Sequence, residues 1–307
     1  MPAAPLLACL LHFADETDAA RRLGLAAQLP AKMIDRHRFP DGELKLRLPV
    51  DGAGRLPPHV VLLRSLHDPN EKLIELLLAA RAARTLGTDH ITLVAPYMAY
   101  MRQDIAFMPG EVVGQQVVGG FLAGLVDAVI TVDPHLHRVA TLQEAIALPQ
   151  AIVLSGAEPL ADLIALRRPG ALLVGPDGES TQWIVQAAAR HRFDYAVGTK
   201  VRHGDHDVAI ELPPLQAQGR AVVLLDDVAS TGRTLAQTAR LLRAAGAASV
   251  DVAVTHALFA GDALQTLYDA GVGEVWSTDC IPHASNAVPM AEPLARALRS
   301  LLPARCL

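Results

Sequence analysis

Short apolar runs recur along almost the whole chain, with helical patterns between them, and the later ones stop at an acid, a histidine or a glycine. "VVLLRSL" (60–66) gives way to the helical "NEKLIELLLAARAARTLG" (70–87) and then at once to "HITLVAPY" (90–97). A helix closed by Gly87 and followed directly by a strand is the punctuation of a doubly wound sheet. "AVITVD" (128–133), "ALLVGPD" (171–177), "AVVLLDD" (221–227) and "SVDVAVTHALF" (249–259) repeat the pattern. The expected class is therefore α/β with mainly parallel sheets. In such sheets ligands gather beyond the carboxyl ends of the strands, which is where these polar residues fall.

The length of 307 residues suits one large domain or two ordinary ones. The alternation predicts two similar halves with the change near 145–155, giving domains at 1–148 and 149–307, the last helix being able to pack back on the first. Only 4% of residues are aromatic, which favours helices stacked on Val- and Leu-rich strands. The apolar opening has no Lys or Arg before Arg21, so it lacks the basic start of a signal peptide and reads as a first buried strand. The longest stretch free of charge, Val112 to Val126, is shorter than a bilayer span of about 20 residues. A net charge of −5 argues against a broad nucleic-acid surface. Three cysteines, Cys9, Cys280 and Cys306, fit neither a disulfide framework nor a C-x-x-C metal site; free thiols in the cytoplasm are expected.

One segment breaks the pattern. In "RFPDGELKLRLP" (38–49), Leu44, Leu46 and Leu48 alternate with Glu43, Lys45 and Arg47 after a Pro-Asp-Gly turn. That alternation predicts an antiparallel, half-exposed strand in a β-flap at about 36–49 that protrudes from the sheet.

The stretch "AVVLLDDVASTGRT" (221–234) carries the strongest chemical signal. Adjacent carboxylates repel and are costly to bury unpaired, so Asp226 and Asp227 call for hydroxyls or a cation. After them, Gly232 permits close backbone approach, Ser230, Thr231 and Thr234 add hydroxyls, and a helix begins. Its N-terminus and the loop amides make an anion cradle. Two acids beside a phosphate cradle suit a sugar phosphate; the Lys and spacing of a Walker loop are absent.

This segment resembles the binding loop for phosphoribosyl diphosphate (PRPP) in the type I phosphoribosyltransferase fold. "RFPDGELKLRL", "APYMAYMRQD", "VDPHLHRV", "VGPDGES" and "STDCIPH" extend the resemblance, in order and near spacing, to ribose-phosphate pyrophosphokinases, also called PRPP synthases. It runs from about residue 35 to 290. The resemblance implies two tandem phosphoribosyltransferase-like doubly wound domains, the second carrying the ribose-5-phosphate loop. It implies transfer of the β,γ-diphosphoryl group of ATP to the 1-hydroxyl of ribose 5-phosphate, yielding PRPP and AMP. Crowded polyphosphate is handled by positioning and electrostatics, so Mg²⁺ is expected, held by one or two protein ligands.

Carried over residue by residue, the resemblance places the ribose 5-phosphate on Asp226, Asp227, Ser230, Thr231, Gly232, Arg233 and Thr234. It links His135 and Asp177 to the metal, with His137 as the rival histidine. Arg102, Gln103 and Asp104 of "YMRQD" fall at the ATP site, where a guanidinium suits polyphosphate. Phe39, Asp41 and Glu43 of the flap would recognise adenine, in the site of a neighbouring subunit. A shared ATP site implies a homo-oligomer, a dimer or a hexamer of dimers. Lys200 and Arg202 match the catalytic loop, whose charges act on the transferring group while the Gly-Asp-rich stretch after them closes.

Departures bear on mechanism. Where the family usually continues with basic residues after "RQD", this chain has Ile105 and Ala106, and Arg233 stands where many members have glycine. Other readings therefore stand beside the synthase: a non-catalytic or regulatory paralogue that binds nucleotide and sugar phosphate, a phosphoribosyltransferase that consumes PRPP, and a structural protein. Retention of Lys200, Arg202, His135 and Asp177 counts against the paralogue. The flap and "RQD" have no evident use in a PRPP-consuming phosphoribosyltransferase, and the acid and cation pattern none in a structural protein.

Overall fold

The computed structural model describes residues 6–136, 138–202 and 208–303, which form two units: 1–154 with 291–307, and 155–290. The first unit runs β1 (Ala8–His12), α1 (Thr17–Ala27), β2 (Ala31–Met33), β3 (Asp35–Arg38), β4 (Leu44–Arg47), β5 (His59–Leu63), α2 (Pro69–Thr85), β6 (His90–Ala95), α3 (Gly114–Ala123), β7 (Ala128–Val132), α4 (Leu142–Ala145) and β8 (Gln150–Leu154). Its sheet is parallel, in the order β2-β1-β5-β6-β7-β8. Strands β1, β6 and β7 are buried almost throughout, as the apolar runs require of a sheet covered on both faces.

The second unit runs α5 (Ala157–Arg167), β9 (Leu172–Gly175), α6 (Thr181–His191), β10 (Tyr195–Val197), β11 (Thr199–Arg202), β12 (Val208–Glu211), β13 (Ala221–Ala229), α7 (Arg233–Ala244), β14 (Ser249–Ala257), α8 (Ala263–Asp269), β15 (Val275–Thr278) and β16 (Asn286–Val288). Its parallel sheet has the order β10-β9-β13-β14-β15-β16. The last helix, α9 (Ala291–Leu301), belongs to the first unit, where it packs on α1 and Arg299 donates to the Ala26 carbonyl at 2.6 Å.

The two sheets share one topology. In each, the first strand is followed by a short 3-10 turn and a helix, the second strand pairs on one side, a hairpin intervenes, and the third strand returns to the other side of the first. That reversal makes a switch point between β1 and β5, and another between β9 and β13. A parallel sheet leaves its binding crevice at such a point, outside the carboxyl ends. In the first unit the intervening hairpin is the flap: β3 and β4 pair antiparallel, Arg38 opposite Leu44, with Leu44 and Leu46 half-buried and Lys45 and Arg47 exposed. In the second it is β11 with β12, Lys200 opposite Ile210.

Candidate functional site

The crevice of the second unit gathers three acids. Asp177 follows β9, half-buried, and its Oδ1 accepts from the Glu179 amide at 3.0 Å, closing the 3-10 turn Gly178–Ser180. Asp226 and Asp227 lie on the neighbouring strand β13. The strand does not stop at them, as the sequence reading has it: it continues to Ala229, because β14 offers partners as far as Ala257. Holding the acids in a paired strand fixes their directions. Asp227 is 2% exposed, and its amide donates to Asp226 Oδ1 at 3.0 Å. Burial first, then the charges of Asp227 and Asp177, drive the Asp226 carboxyl well above the usual carboxylate range. Carboxylates gathered in this way suit donating hydroxyls and a hard divalent cation.

The loop after β13 is seated on the turn after β14. The amides of Leu258 and Phe259 donate to the Ala229 carbonyl at 3.1 and 2.9 Å, and that of Ala260 to Ser230 at 3.0 Å. Gly232 caps α7 at φ +70°, and a Cβ there would come within 3.1 Å of the Ala263 carbonyl oxygen, so both backbone angle and space favour glycine. Ser230 and Thr234 are half-buried while Thr231 and Arg233 are exposed. The first-turn amides of α7 thus open where an anion would sit.

Lys200 is exposed on β11, two positions before Arg202 on the same strand. The hairpin is rooted beside the acids, since the Gly198 amide donates to the Gly175 carbonyl at 2.8 Å. Residues 203–207, expected as the closing stretch, lie outside the described residues, as does His137.

In the first unit, Arg102 is exposed and Gln103 half-buried, its Nε2 donating to Glu111 at 3.3 Å. Glu111 also accepts from the amides of Phe107 and Met108, so it closes the loop that carries Ile105 and Ala106. Asp104 turns inward instead. It is 7% exposed and accepts from the Arg138 amide at 2.9 Å and from its guanidinium at 2.7 Å. Burial pushes its carboxyl up, but these bonds outweigh that and hold it below the usual range. Sequence reasoning missed Arg138, whose tie to Asp104 fixes the segment containing His135. His135 itself is half-buried beyond β7, after Asp133, whose amide donates to the Leu154 carbonyl at 2.9 Å.

On the flap, Phe39 is 38% exposed, and Asp41 and Glu43 are exposed. The turn is closed by Phe39 with Glu43 (2.8 Å) and Gly42 with Phe39 (2.9 Å), while Asp41 Oδ1 accepts from the Glu43 amide at 3.1 Å. His37 meets the Phe39 ring edge-on at 4.8 Å, and the Lys45 ammonium lies over the ring, 5.9 Å from its centroid. Among the described residues no group of three or more metal-ligating side chains forms by itself. His135 belongs to the first unit and Asp177 to the second.

Comparison with known proteins follows the same lines. A family model described as the N-terminal domain of ribose phosphate pyrophosphokinase matches residues 9–124, and one described as the phosphoribosyl synthetase-associated domain matches 205–292. The chain is 35% identical to the ribose-phosphate pyrophosphokinase of Methanopyrus kandleri, covering 90% of this chain and 94% of that one. It is 36% identical to that of Halobacterium salinarum, covering 89% and 96%. The crystal structure of phosphoribosylpyrophosphate synthetase from Mycobacterium smegmatis superposes with a TM-score of 0.79 at 22% identity, over 96% of this chain and 98% of that chain.

Proposed function

The chain belongs to the ribose-phosphate pyrophosphokinase family, and on that premise we propose that it transfers the β,γ-diphosphoryl group of ATP to the 1-hydroxyl of ribose 5-phosphate, releasing PRPP and AMP. The observation that carries the reading is the acid pair on β13 beside the glycine-capped start of α7. Asp226 and Asp227 accept hydrogen bonds from the vicinal ribose hydroxyls. The amides and hydroxyls of residues 230–234 hold the 5-phosphate, with Arg233 adding charge at its rim. Bound this way, the sugar presents its 1-hydroxyl in one orientation, which removes much of the entropy a bimolecular encounter would cost.

ATP is placed by Arg102 and Gln103, and its adenine by Phe39, Asp41 and Glu43 of the flap, reaching the site of a neighbouring subunit in a homo-oligomer. Asp104 acts by tying down Arg138, and with it the segment that carries His135, rather than by touching the nucleotide. Lys200 and Arg202 neutralise charge that builds on the transferring phosphoryl group, a contribution felt in the transition state more than in the ground state. Asp177 and His135 are each a residue that would hold Mg²⁺. Asp177 offers the oxygen ligand that a hard ion takes, and Mg²⁺ needs only one or two such protein ligands besides phosphate and water. When bound, Mg²⁺ supplies charge neutralisation of the phosphates. No described helix is long and apolar enough to cross a membrane, and the setting proposed is the cytoplasm, with no nucleic-acid or membrane partner.

The deciding experiment is AMP formation by the purified protein with ATP, Mg²⁺ and ribose 5-phosphate, the sugar phosphate omitted as control. Sugar-dependent AMP with an equal amount of PRPP supports the reading; no AMP despite binding of both substrates supports the non-catalytic paralogue.

A further inference from the structure

The shared topology of the two units puts Arg64 and Asp227 at equivalent places. Ala8 pairs with His59, and Leu172 with Val222. Each first-strand residue stands six positions before its 3-10 turn, at Ala14 and Gly178. Five residues beyond His59 is Arg64, and five beyond Val222 is Asp227. Where the second unit keeps its crevice for a ligand, the first fills it with its own charges. Arg64 is 1% exposed and lies over the Phe13 ring at 4.7 Å. Its Nη1 reaches Asp15 at 2.8 Å and Glu16 at 3.2 Å, and its Nη2 pairs with Glu75 of α2.

Glu75 is completely buried, yet it takes a second partner from outside the core. Arg36 of flap strand β3 pairs with it, and also approaches Glu71 one helical turn earlier at 3.7 Å. Arg38 of the same strand pairs with Glu71 as well. Glu71 and Glu75, four residues apart, present their carboxylates on one face of α2. A two-stranded hairpin is marginal alone in water, so its pose depends on what ties it down.

We propose that Glu75 is a positioning residue for nucleotide recognition. It joins the core through Arg64 and the flap through Arg36, and with Glu71 it clamps β3 to α2, so that Phe39, Asp41 and Glu43 are presented in a fixed pose. This rests on the reading of the flap as the adenine-binding element. A flap already fixed gives up little conformational entropy when nucleotide arrives; a freed one must give it up at binding, and affinity falls.

The test compares Arg36→Met, Glu75→Gln, their double variant and Phe39→Ala in the full chain. The readouts are KM for ATP and for ribose 5-phosphate, kcat, Tm, and equilibrium binding of a non-hydrolysable ATP analogue. Arg36→Met is expected to raise KM for ATP and weaken analogue binding by roughly tenfold, with KM for ribose 5-phosphate, kcat and Tm little changed. Arg36 is partly exposed, so this variant keeps its fold even where Glu75→Gln lowers Tm. Arg36→Lys should recover part of the loss. The double variant should cost no more ATP affinity than the worse single one. Full additivity would overturn the proposal, because Arg36 would then act on the nucleotide directly. Unchanged ATP affinity in Arg36→Met, with a loss in Phe39→Ala, would also overturn it while leaving the flap its role. No loss in Phe39→Ala would remove the flap from adenine binding and the proposal with it.

Discussion

Both the backbone amide and the guanidinium of Arg138 close on the carboxylate of Asp104, across 34 residues of sequence. The bond joins the loop after β6 to the segment beyond β7 that holds His135. Asp104 is buried and Arg138 half-exposed, so deleting the carboxylate strands an amide rather than a buried cation. Asp104→Ala should therefore cost about 1–3 kcal/mol in urea unfolding, the range for losing a charge-assisted hydrogen bond. The same variant should lower kcat and raise the Mg²⁺ concentration needed for half-maximal rate. A variant that loses only ATP affinity would show Asp104 to be a nucleotide ligand.

Burial weighs against a charged Asp226 carboxylate, and the charges of Asp227 and Asp177 add to the cost. Asp226→Asn should make the ligand-free protein more stable, by about 1–2 kcal/mol, while cutting kcat/KM for ribose 5-phosphate at least tenfold. Mg²⁺ should raise the Tm of the parent more than that of the variant. Unaltered or lower stability would mean that the acids are neutralised within the fold.

Lys200 stands exposed on its hairpin and has no ion-pair partner among the described residues, which leaves its charge for a ligand. Lys200→Ala should lower kcat by about 10²–10⁴-fold with modest change in either KM, since its contact develops with the transferring charge. Single-turnover AMP formation separates this from slowed product release. Loss confined to KM for ATP would reassign Lys200 to ground-state binding.

Glu16 and His67 lie in the first unit's charge cluster and are shifted in opposite directions. Burial pushes Glu16 up to about 7 from 4.5, so between these values the folded chain holds more protons than the unfolded one and stability falls as pH rises. Burial and then the Lys72 charge bring His67 down to about 4 from 6.5, so over that window the folded chain holds fewer protons and stability climbs with pH. The two slopes oppose where the windows overlap. In Glu16→Gln the falling slope is gone, so Tm of the variant relative to the parent should rise steadily from pH 4.5 to about 7. A constant difference would mean that Arg64 keeps Glu16 ionised throughout.

Much of this was legible in the chain because it is local. The helix read at 70–87 runs from Pro69 to Thr85, ended by Gly87 at φ +96°, and the flap's alternation of Leu with charge survives as half-buried against exposed. The buried opening strand is β1. What escaped depends on partners distant in sequence. Nothing near Asp226 says that β14 is long enough to carry β13 past it to Ala229. Arg64 stands inside the apolar run "VVLLRSL", and its burial is intelligible only once Asp15, Glu16 and Glu75 surround it. The one available signal was a full charge directly after four apolar residues at a strand's carboxyl end.

The root of the Lys200 hairpin offers a steric test of how closely it is coupled to the acids. Gly198 lies between β10 and β11, and a Cβ there would stand 2.5 Å from the Pro176 carbonyl oxygen and 3.3 Å from the Ile210 side chain. Backbone cannot yield as a flexible side chain would, so Gly198→Ala must displace either the hairpin or the residue preceding Asp177. Stability should drop by about 1–3 kcal/mol, and kcat should fall further than that loss explains at temperatures where the variant remains folded. Gly178→Ala is the matching control: it adds the same methyl on the other side of Asp177, where nothing lies within 4 Å, and should leave both quantities near the parent's. If the two variants behave alike in kcat, the hairpin's root and Asp177 are not mechanically linked, and Lys200 and Arg202 must be positioned from the far end of their loop.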